Sequence, residues 1–187
     1  VVPGVVAPWW SAPVGCTIVG TPGDDVLYGT SGADHICGLG GDDTIYGYGG
    51  NDVLDGGPGN DKLYGGTGKD RLYGRGGADV LKGGPRNDTL YGNRGSDRLY
   101  GGKAKDSLYG GRSKDVLYGG MANDLLVGGS SKDTSYGGKG KDKLYGGKAR
   151  DLLVGGAMKD TLDGGSQKDT AKKPGPDVLV SIEIVVP

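Results

Sequence analysis

The amino-acid sequence predicts an all-β solenoid, and three regularities carry that prediction. Aspartate recurs every nine residues from Asp25 to Asp169 with no insertion. An aliphatic residue follows each aspartate two positions later, except at Ser135 and Ala171. A glycine follows four positions later, from Gly29 to Gly164. A period kept over seventeen units indicates a repeat architecture in which each unit packs against its neighbours.

Composition supports a thin, glycine-rich solenoid rather than an ordinary globular domain. Of the 187 residues 43 are glycine, none is phenylalanine, and only 34% are hydrophobic. Such a chain cannot build a thick core, and its glycines favour repeated tight turns.

Charge is unevenly distributed along the chain. Residues 1–61 contain eight acidic and no basic residues, whereas residues 62–187 contain 15 acidic and all 22 basic residues.

Each nine-residue unit predicts a turn followed by a short strand. In one unit, GGPGND over 56–61 is typical of a turn and KLY over 62–64 of a strand. Because side chains alternate along a strand, Leu63 points inward while Lys62 and Tyr64 point outward. Two units facing each other, leucine against leucine, form an 18-residue coil, so the array predicts about 8–9 coils. At roughly 4.8 Å per coil the rod is about 40 Å long.

The repeats resemble the RTX nonapeptide G-G-x-G-x-D-x-U-x, in which U is a large aliphatic residue and the motif binds calcium. The segments GGPGNDKLY over 56–64 and GGTGKDRLY over 65–73 match it in full. The resemblance implies a right-handed parallel β-roll over residues 20–172. We expect an N-terminal cap over 1–19 that includes Trp9 and Trp10, and a C-terminal cap over 173–187, because solenoid ends need covering.

The resemblance further implies that calcium lies in the turns, bound by aspartate side chains and by carbonyl oxygens of the glycine-rich loops. Calcium takes 6–8 oxygen ligands, and stacked carboxylates roughly 5 Å apart repel one another and need cations. The alternative is that these aspartates only form turns through side-chain hydrogen bonds to the backbone. The predicted ligands are Asp25, Asp34, Asp43, Asp52, Asp61, Asp70, Asp79, Asp88 and Asp97.

The repeat decays toward the C-terminus, and we therefore expect several calcium ions mainly in the N-terminal half. The glycine two residues before the aspartate gives way to residues such as Ala104 and Met158. The residue just before the aspartate is often cationic there, as at Lys105 and Lys159. These cations are predicted to neutralise the aspartates wholly or partly in place of the metal. The alternative is that they project into solvent and calcium binds throughout.

Ten tyrosines lie three residues after a repeat aspartate and are predicted to form outward ladders. The flat aromatic rows indicate either mutual packing along the sheet or a self-association interface. Ice binding is a further alternative, although the outward turn positions carry mixed and mobile side chains. The candidate interface residues are Tyr28, Tyr46, Tyr64, Tyr100, Tyr118 and Tyr136 on one face, and Tyr73, Tyr91, Tyr109 and Tyr145 on the other.

The RTX resemblance implies a secreted, extracellular protein, and two cysteines in such a protein usually form a disulfide. Cys16 and Cys37 would be about 10 Å apart in strict register, too far for a bond, but the N-terminal cap need not keep register. We expect Cys16 and Cys37 to form a disulfide that fixes the N-terminal cap to the roll.

The sequence favours a structural or interaction module that folds on calcium, rather than an enzyme. His35 is the single histidine, and no serine, cysteine or zinc motif accompanies it. Basic residues are interleaved with aspartate, which disfavours nucleic-acid binding. No apolar run approaches the length of a membrane span. Calcium, and a second copy of the chain, are the expected partners.

Overall fold

The computed structural model describes residues 15–172, 176–182 and 184–186, and these contain twenty β-strands and no helix. No helix in this part of the chain is long and apolar enough to cross a membrane. The strands are β1 Ile18–Val19, β2 Val26–Tyr28, β3 His35–Cys37, β4 Thr44–Tyr46, β5 Val53–Pro58, β6 Lys62–Tyr64, β7 Arg71–Gly76, β8 Val80–Gly84, β9 Thr89–Arg94, β10 Arg98–Lys103, β11 Ser107–Arg112, β12 Val116–Met121, β13 Leu125–Ser130, β14 Thr134–Lys139, β15 Lys143–Lys148, β16 Leu152–Ala157, β17 Thr161–Ser166, β18 Thr170–Lys172, β19 Val178–Val180 and β20 Ile184–Val186.

The strands form two parallel ten-stranded sheets that make up the two sides of a solenoid. Odd-numbered strands form one sheet and even-numbered strands the other. From β1 to β18, paired residues of neighbouring strands are 18 residues apart along the chain, as Leu54 is from Leu72 and Leu99 from Leu117. The predicted β-solenoid with 18 residues per coil is therefore confirmed, with about nine coils.

Most strands are longer than the three residues that the sequence predicts, because they continue through the following glycines. In β11 the side chain of Leu108 and the backbone of Gly110 both face the interior and are buried, while Tyr109 between them is half-buried. The interior of each half-coil therefore holds one aliphatic side chain and one glycine, since alternate positions along a strand face the same way. A roll this narrow has no room for a second large side chain per strand.

A single column of aliphatic side chains per sheet forms the core, and each member is fully buried. Ser135 interrupts one column, because it lies between Leu117 and Leu153 in the strand register and its buried hydroxyl has no hydrogen-bond partner. The core residues are Ile36, Ile45, Leu54, Leu63, Leu72, Leu81, Leu90, Leu99, Leu108, Leu117, Leu126, Leu144, Leu153, Leu162 and Ala171.

The turns use left-handed backbone conformations four and two residues before the aspartate. Gly57 and Gly59, before Asp61, have φ values of 103° and 148°. At Gly59 a Cβ atom would overlap the carbonyl oxygen of Gly41 in the preceding coil, so glycine is required there. Further along the chain the second position keeps its positive φ without glycine, which costs about 1–2 kcal/mol per residue. These residues are Ala104, Ser113, Ala122, Ser131, Ala149, Met158 and Gln167.

The C-terminal strands keep the stacking although the spacing between paired residues shortens, to 17 residues between β17 and β19 and to 14 between β18 and β20. Strand β19 pairs with β17 through Thr161 and Val178, and β20 pairs with β18. Asp177 follows the last column at 17 rather than 18 residues, and its Oδ1 still accepts from the backbone N–H of Asp160 at 3.1 Å. Trp9 and Trp10 of the predicted N-terminal cap lie outside the described residues, as does 173–175 of the C-terminal cap.

Candidate metal centre

The repeat aspartates form two columns inside the roll, one at each end of its flattened cross-section. Every repeat aspartate from Asp43 to Asp169 is at most 2% exposed, whereas Asp25 and Asp34 in the first coil are half-buried. Each carboxylate lies directly before a strand, where the chain enters the sheet. All nine predicted ligands lie in these columns, and the columns continue past them through the C-terminal half.

One carboxylate oxygen of each aspartate links successive coils. The backbone N–H of Asp61 donates to Oδ1 of Asp79 at 2.8 Å, and that of Asp79 donates to Oδ1 of Asp97 at 2.9 Å. The same bond runs along both columns from Asp25 to Asp169. If the aspartates only formed turns, their side chains would accept hydrogen bonds from backbone N–H groups of their own turn. They do accept hydrogen bonds from backbone N–H groups, but from those of the preceding coil.

The second carboxylate oxygen has no hydrogen-bond partner at any repeat aspartate from Asp43 to Asp160, although it is buried. The first coil differs, because Oδ2 of Asp25 accepts from the backbone N–H and the hydroxyl of Thr21 at 2.5 and 2.9 Å. Thr30 bonds Asp34 in the same way. Sequence reasoning missed these threonines, and their position four residues before the aspartate in the first two repeats was the available signal.

Oδ2 of an aspartate and a backbone carbonyl oxygen of the next coil both lie close to the bare face of many of the glycines that precede an aspartate by five residues. A Cβ atom on Gly128 would lie 2.6 Å from Oδ2 of Asp133 and 2.7 Å from the carbonyl oxygen of Gly146. The same oxygen pair surrounds Gly110 further toward the N-terminus. The glycine four residues after each aspartate is thus needed because any side chain would fill the space in which the oxygens of the next repeat converge.

Burial makes these carboxyls hard to ionise without a cation. It raises the pKa from the ordinary value of 3.8 to about 6 in Asp43, about 7 in Asp61 and about 8 in Asp106. The hydrogen bond from the preceding coil opposes this rise, and the negative charge of neighbouring aspartates adds to it. A buried carboxylate with one unbonded oxygen calls for either a proton or a metal ion.

The donor set fits calcium. Carboxylate and carbonyl oxygens supply hard ligands, and calcium prefers such oxygens in flexible sites. The columns contribute no nitrogen or sulfur ligand. When bound, calcium would supply the positive charge that lets Oδ2 remain ionised inside the roll.

The lysines just before the C-terminal aspartates are exposed, as at Lys105, Lys132 and Lys141. Oδ2 of Asp106, Asp133 and Asp142, the aspartate following each of them, has no hydrogen-bond partner. From Asp43 onward, buried Oδ2 atoms without a hydrogen-bond partner therefore occur in both halves of the roll.

Nine of the ten predicted tyrosines stack as ladders on the two sheets, whereas Tyr145 lies between Val127 and Asp163 in the strand register and stacks on no other tyrosine in the described part of the chain. The rings of Tyr46 and Tyr64 are nearly parallel with their centroids 4.9 Å apart, and Tyr91 stacks on Tyr109 at 5.0 Å. Lys82 fills the gap in one ladder, with its ammonium group 5.4 Å from the ring centre of Tyr64. Of the ten candidate interface tyrosines, the most exposed is Tyr28, at 56%.

Tyr48, the one tyrosine outside the predicted ladders, joins the N-terminal end of one of them. Its ring is stacked 6.2 Å from that of Tyr28 and 6.1 Å from that of Tyr46, and it is 55% exposed.

A disulfide joins Cys16 and Cys37, whose Cα atoms are 6.0 Å apart. In the strand register Cys37 pairs with Val19 rather than with Cys16, and the chain bends at Thr17, between Cys16 and β1. Cys37 lies at an outward strand position, yet it is only 1% exposed because the bonded Cys16 lies against it.

A parallel β-solenoid with two interior columns of hard oxygen ligands defines a repeat protein of the metal-binding class. The model of the RTX calcium-binding nonapeptide repeat matches the chain in overlapping copies, and the chain belongs to this family, so its array is a calcium-binding β-roll. The matches cover residues 17–45, 46–81, 73–106, 82–117, 100–135, 127–157 and 136–171. No curated protein matches the chain significantly.

Proposed function

We propose that this β-roll is a secreted structural module whose folding is switched by calcium, and that it is not an enzyme. The observation that carries the proposal is the run of buried Oδ2 atoms without a hydrogen-bond partner, from Asp43 to Asp160. Without a cation, each column places dehydrated carboxyls one coil apart, where they repel one another. The thin aliphatic core offers little to offset that cost. Extracellular calcium sites are commonly weak, which suits a chain that folds only where calcium is abundant.

We further propose that the N-terminal half, from Asp25 to Asp97, holds the tighter sites. Apart from Lys69, the residues just before its aspartates are acidic or neutral, as at Asp42 and Asn60, whereas exposed cations precede many later aspartates. Its turns also keep glycine two residues before the aspartate, except at Arg86, while later turns hold residues such as Met158 there, at φ 80°. Positive charge and a strained turn both weaken calcium binding without removing the oxygen ligands.

Circular dichroism with calcium and with a chelator tests the switch. We expect the β signal to be present in millimolar calcium and lost in excess EDTA at neutral pH. A roll that keeps its β signal in EDTA would overturn the proposal, because the columns would then be stable without metal.

Three matched substitutions test where calcium binds most tightly. Asp61→Asn and Asp133→Asn each remove one carboxylate from the same column, and Asp163→Asn removes one from an outward strand position. We expect Asp61→Asn to raise the calcium concentration at half-folding more than Asp133→Asn, with little change for Asp163→Asn. Equal shifts for Asp61→Asn and Asp133→Asn would contradict an N-terminal preference.

We also propose self-association through the sheet face that carries Tyr28, Tyr46 and Tyr48, where three stacked rings stand at one end of the roll. Tyrosine favours interfaces because it combines apolar area with a polar hydroxyl. This face presents aromatic rings and Lys82 rather than regular rows of threonine, so self-association is preferred over ice binding.

Sedimentation velocity in calcium tests self-association. We expect a dimer in the unmodified protein that the Tyr28→Ser/Tyr48→Ser variant loses. Tyr145→Ser, on the opposite face and also exposed, is the control and should retain the dimer. A monomer at all concentrations would refute the interface.

A further inference from the structure

The single histidine of the chain and both of its cysteines meet at the N-terminal end of the roll. The two sulfur atoms and a ring nitrogen of His35 all lie within 4.8 Å of one another. Nε2 of His35 is 4.0 Å from Sγ of Cys16. The cluster differs chemically from the aspartate columns, because its possible ligand atoms are nitrogen and sulfur instead of oxygen.

The first coil holds this cluster in place through backbone pairing. His35 and Cys37 project from the same face of β3, two residues apart, and Cys16 comes from the segment that leads into β1. The N–H of Thr17 donates to the carbonyl oxygen of His35 at 2.6 Å, and the N–H of His35 donates to the hydroxyl of Thr17 at 3.0 Å. These bonds fix the spacing between Cys16 and the imidazole whether or not the sulfurs are bonded.

Gly15 leaves room for the histidine ring. A Cβ atom there would lie only 3.2 Å from Nδ1 of His35, and the backbone of Gly15 has φ 112°, a conformation that other residues rarely adopt. The imidazole thus lies beside a bare stretch of backbone, with Nε2 directed toward the sulfur pair.

We propose that Cys16, His35 and Cys37 form a redox-gated site for a thiolate-binding divalent metal of the zinc class. In the oxidised protein the sulfurs are bonded to each other and cannot bind it. A dithiol reductant supplies two electrons and two protons, which break the S–S bond and give two thiols. Metal binding then releases both protons, forms two metal–sulfur bonds and one metal–nitrogen bond, and leaves a fourth position for water.

The distances suit such an ion. With Zn–S near 2.3 Å and Zn–N near 2.0–2.1 Å, neighbouring ligand atoms of a tetrahedral site lie about 3.3–3.8 Å apart. The separation of Nε2 and Sγ of Cys16 is already close to this, at 4.0 Å. Only the two sulfurs have to move apart once their bond is broken.

The ligand set separates this site from the calcium columns. Thiolate and imidazole favour zinc over calcium, which selects oxygen. The disulfide and the metal would therefore be alternative links between the same two coils, the first serving in an oxidising and the second in a reducing environment. This inference is independent of where calcium binds.

Cobalt(II) spectroscopy of the full-length chain tests the site, with millimolar calcium present to occupy the aspartate columns. After reduction with a phosphine, we expect one equivalent of Co²⁺ to give a thiolate-to-cobalt charge-transfer band that Zn²⁺ then removes. The oxidised protein and the Cys16→Ser/Cys37→Ser variant should give no band. The double variant keeps both aspartate columns, so it controls for metal bound there.

Two histidine variants test the third ligand, with the β signal checked by circular dichroism in each. His35→Ala and His35→Gln should each weaken Co²⁺ binding at least about tenfold, since even the loss of a residue supporting a metal ligand costs 10–100-fold. No charge-transfer band in the reduced protein would overturn the proposal. Unchanged affinity in both histidine variants would also overturn it, because the imidazole would then only pack beside the sulfurs.

Discussion

Filling the gap that Ser135 leaves in the leucine column should stabilise the roll. Ser135 is fully buried between Leu117 and Leu153, and its hydroxyl has no hydrogen-bond partner. Replacing it by leucine removes an unsatisfied polar group that costs about 1–3 kcal/mol. It also buries three more carbons at about 0.8 kcal/mol each. Allowing about 1–3 kcal/mol for overpacking, we expect Ser135→Leu to raise the free energy of unfolding by about 2 kcal/mol.

Thermal and urea unfolding in saturating calcium measure this effect. A gain of about 2 kcal/mol corresponds to a rise in Tm of roughly 4–8 °C for a chain of this size. Ser107→Leu is the control, because Ser107 is the outward neighbour of a repeat aspartate and is half-exposed, so its Tm should change little. An unchanged or lower Tm for Ser135→Leu would refute the reasoning, since it would mean that the coil narrows around the serine.

Two further predictions concern the turns and the carboxyl columns. Ala149→Gly should raise the free energy of unfolding, measured in urea, by about 0.5–1 kcal/mol, because φ at Ala149 is 83°. The control Ala157→Gly, at a residue without positive φ, should lower the free energy of unfolding by a similar amount. A lower free energy of unfolding in both variants would contradict backbone strain at Ala149. In calcium-depleted buffer the β signal in circular dichroism should grow as pH falls from 9 to 5. Burial raises the pKa of Asp115 to about 8, so over this pH range the folded state binds protons that the unfolded state releases, and acidification favours folding. With calcium present the same acidification should weaken ion binding, and a calcium-free β signal that does not change over this range would contradict the raised pKa values.

The nine-residue period determined the architecture from sequence. Once aspartate, leucine and glycine recur in fixed register, the neighbours 18 residues apart are known, so Leu54 must stack on Leu72 and Tyr46 on Tyr64. Side-chain alternation then assigned the leucines to the interior and the tyrosines to ladders. Tyr48 is the one tyrosine that does not lie three residues after a repeat aspartate, so the period did not place it in a ladder.

The path of the turn was decided only by the tertiary structure. The sequence places Asp61 in a turn, but only the stacked backbone shows that its Oδ1 accepts a hydrogen bond from the preceding coil while its Oδ2 is buried without a partner. The lysines beside the later aspartates read as neutralising partners in the sequence, yet side chains such as Lys105 and Lys141 are exposed. Adjacent residues in a tight turn point in different directions, so proximity along the chain did not predict proximity in space.

The first coil also shows what the sequence could determine and what only the folded structure could. Period and composition identified Cys16 and Cys37 as a candidate pair but placed them about 10 Å apart in strict register. The chain bends at Thr17, just before the first strand, and Cys16, Cys37 and His35 lie together there. A repeat sequence determines what repeats, because each unit meets an identical neighbour. Where the chain leaves the repeat, the contacts depend on a backbone path that only the folded structure supplies.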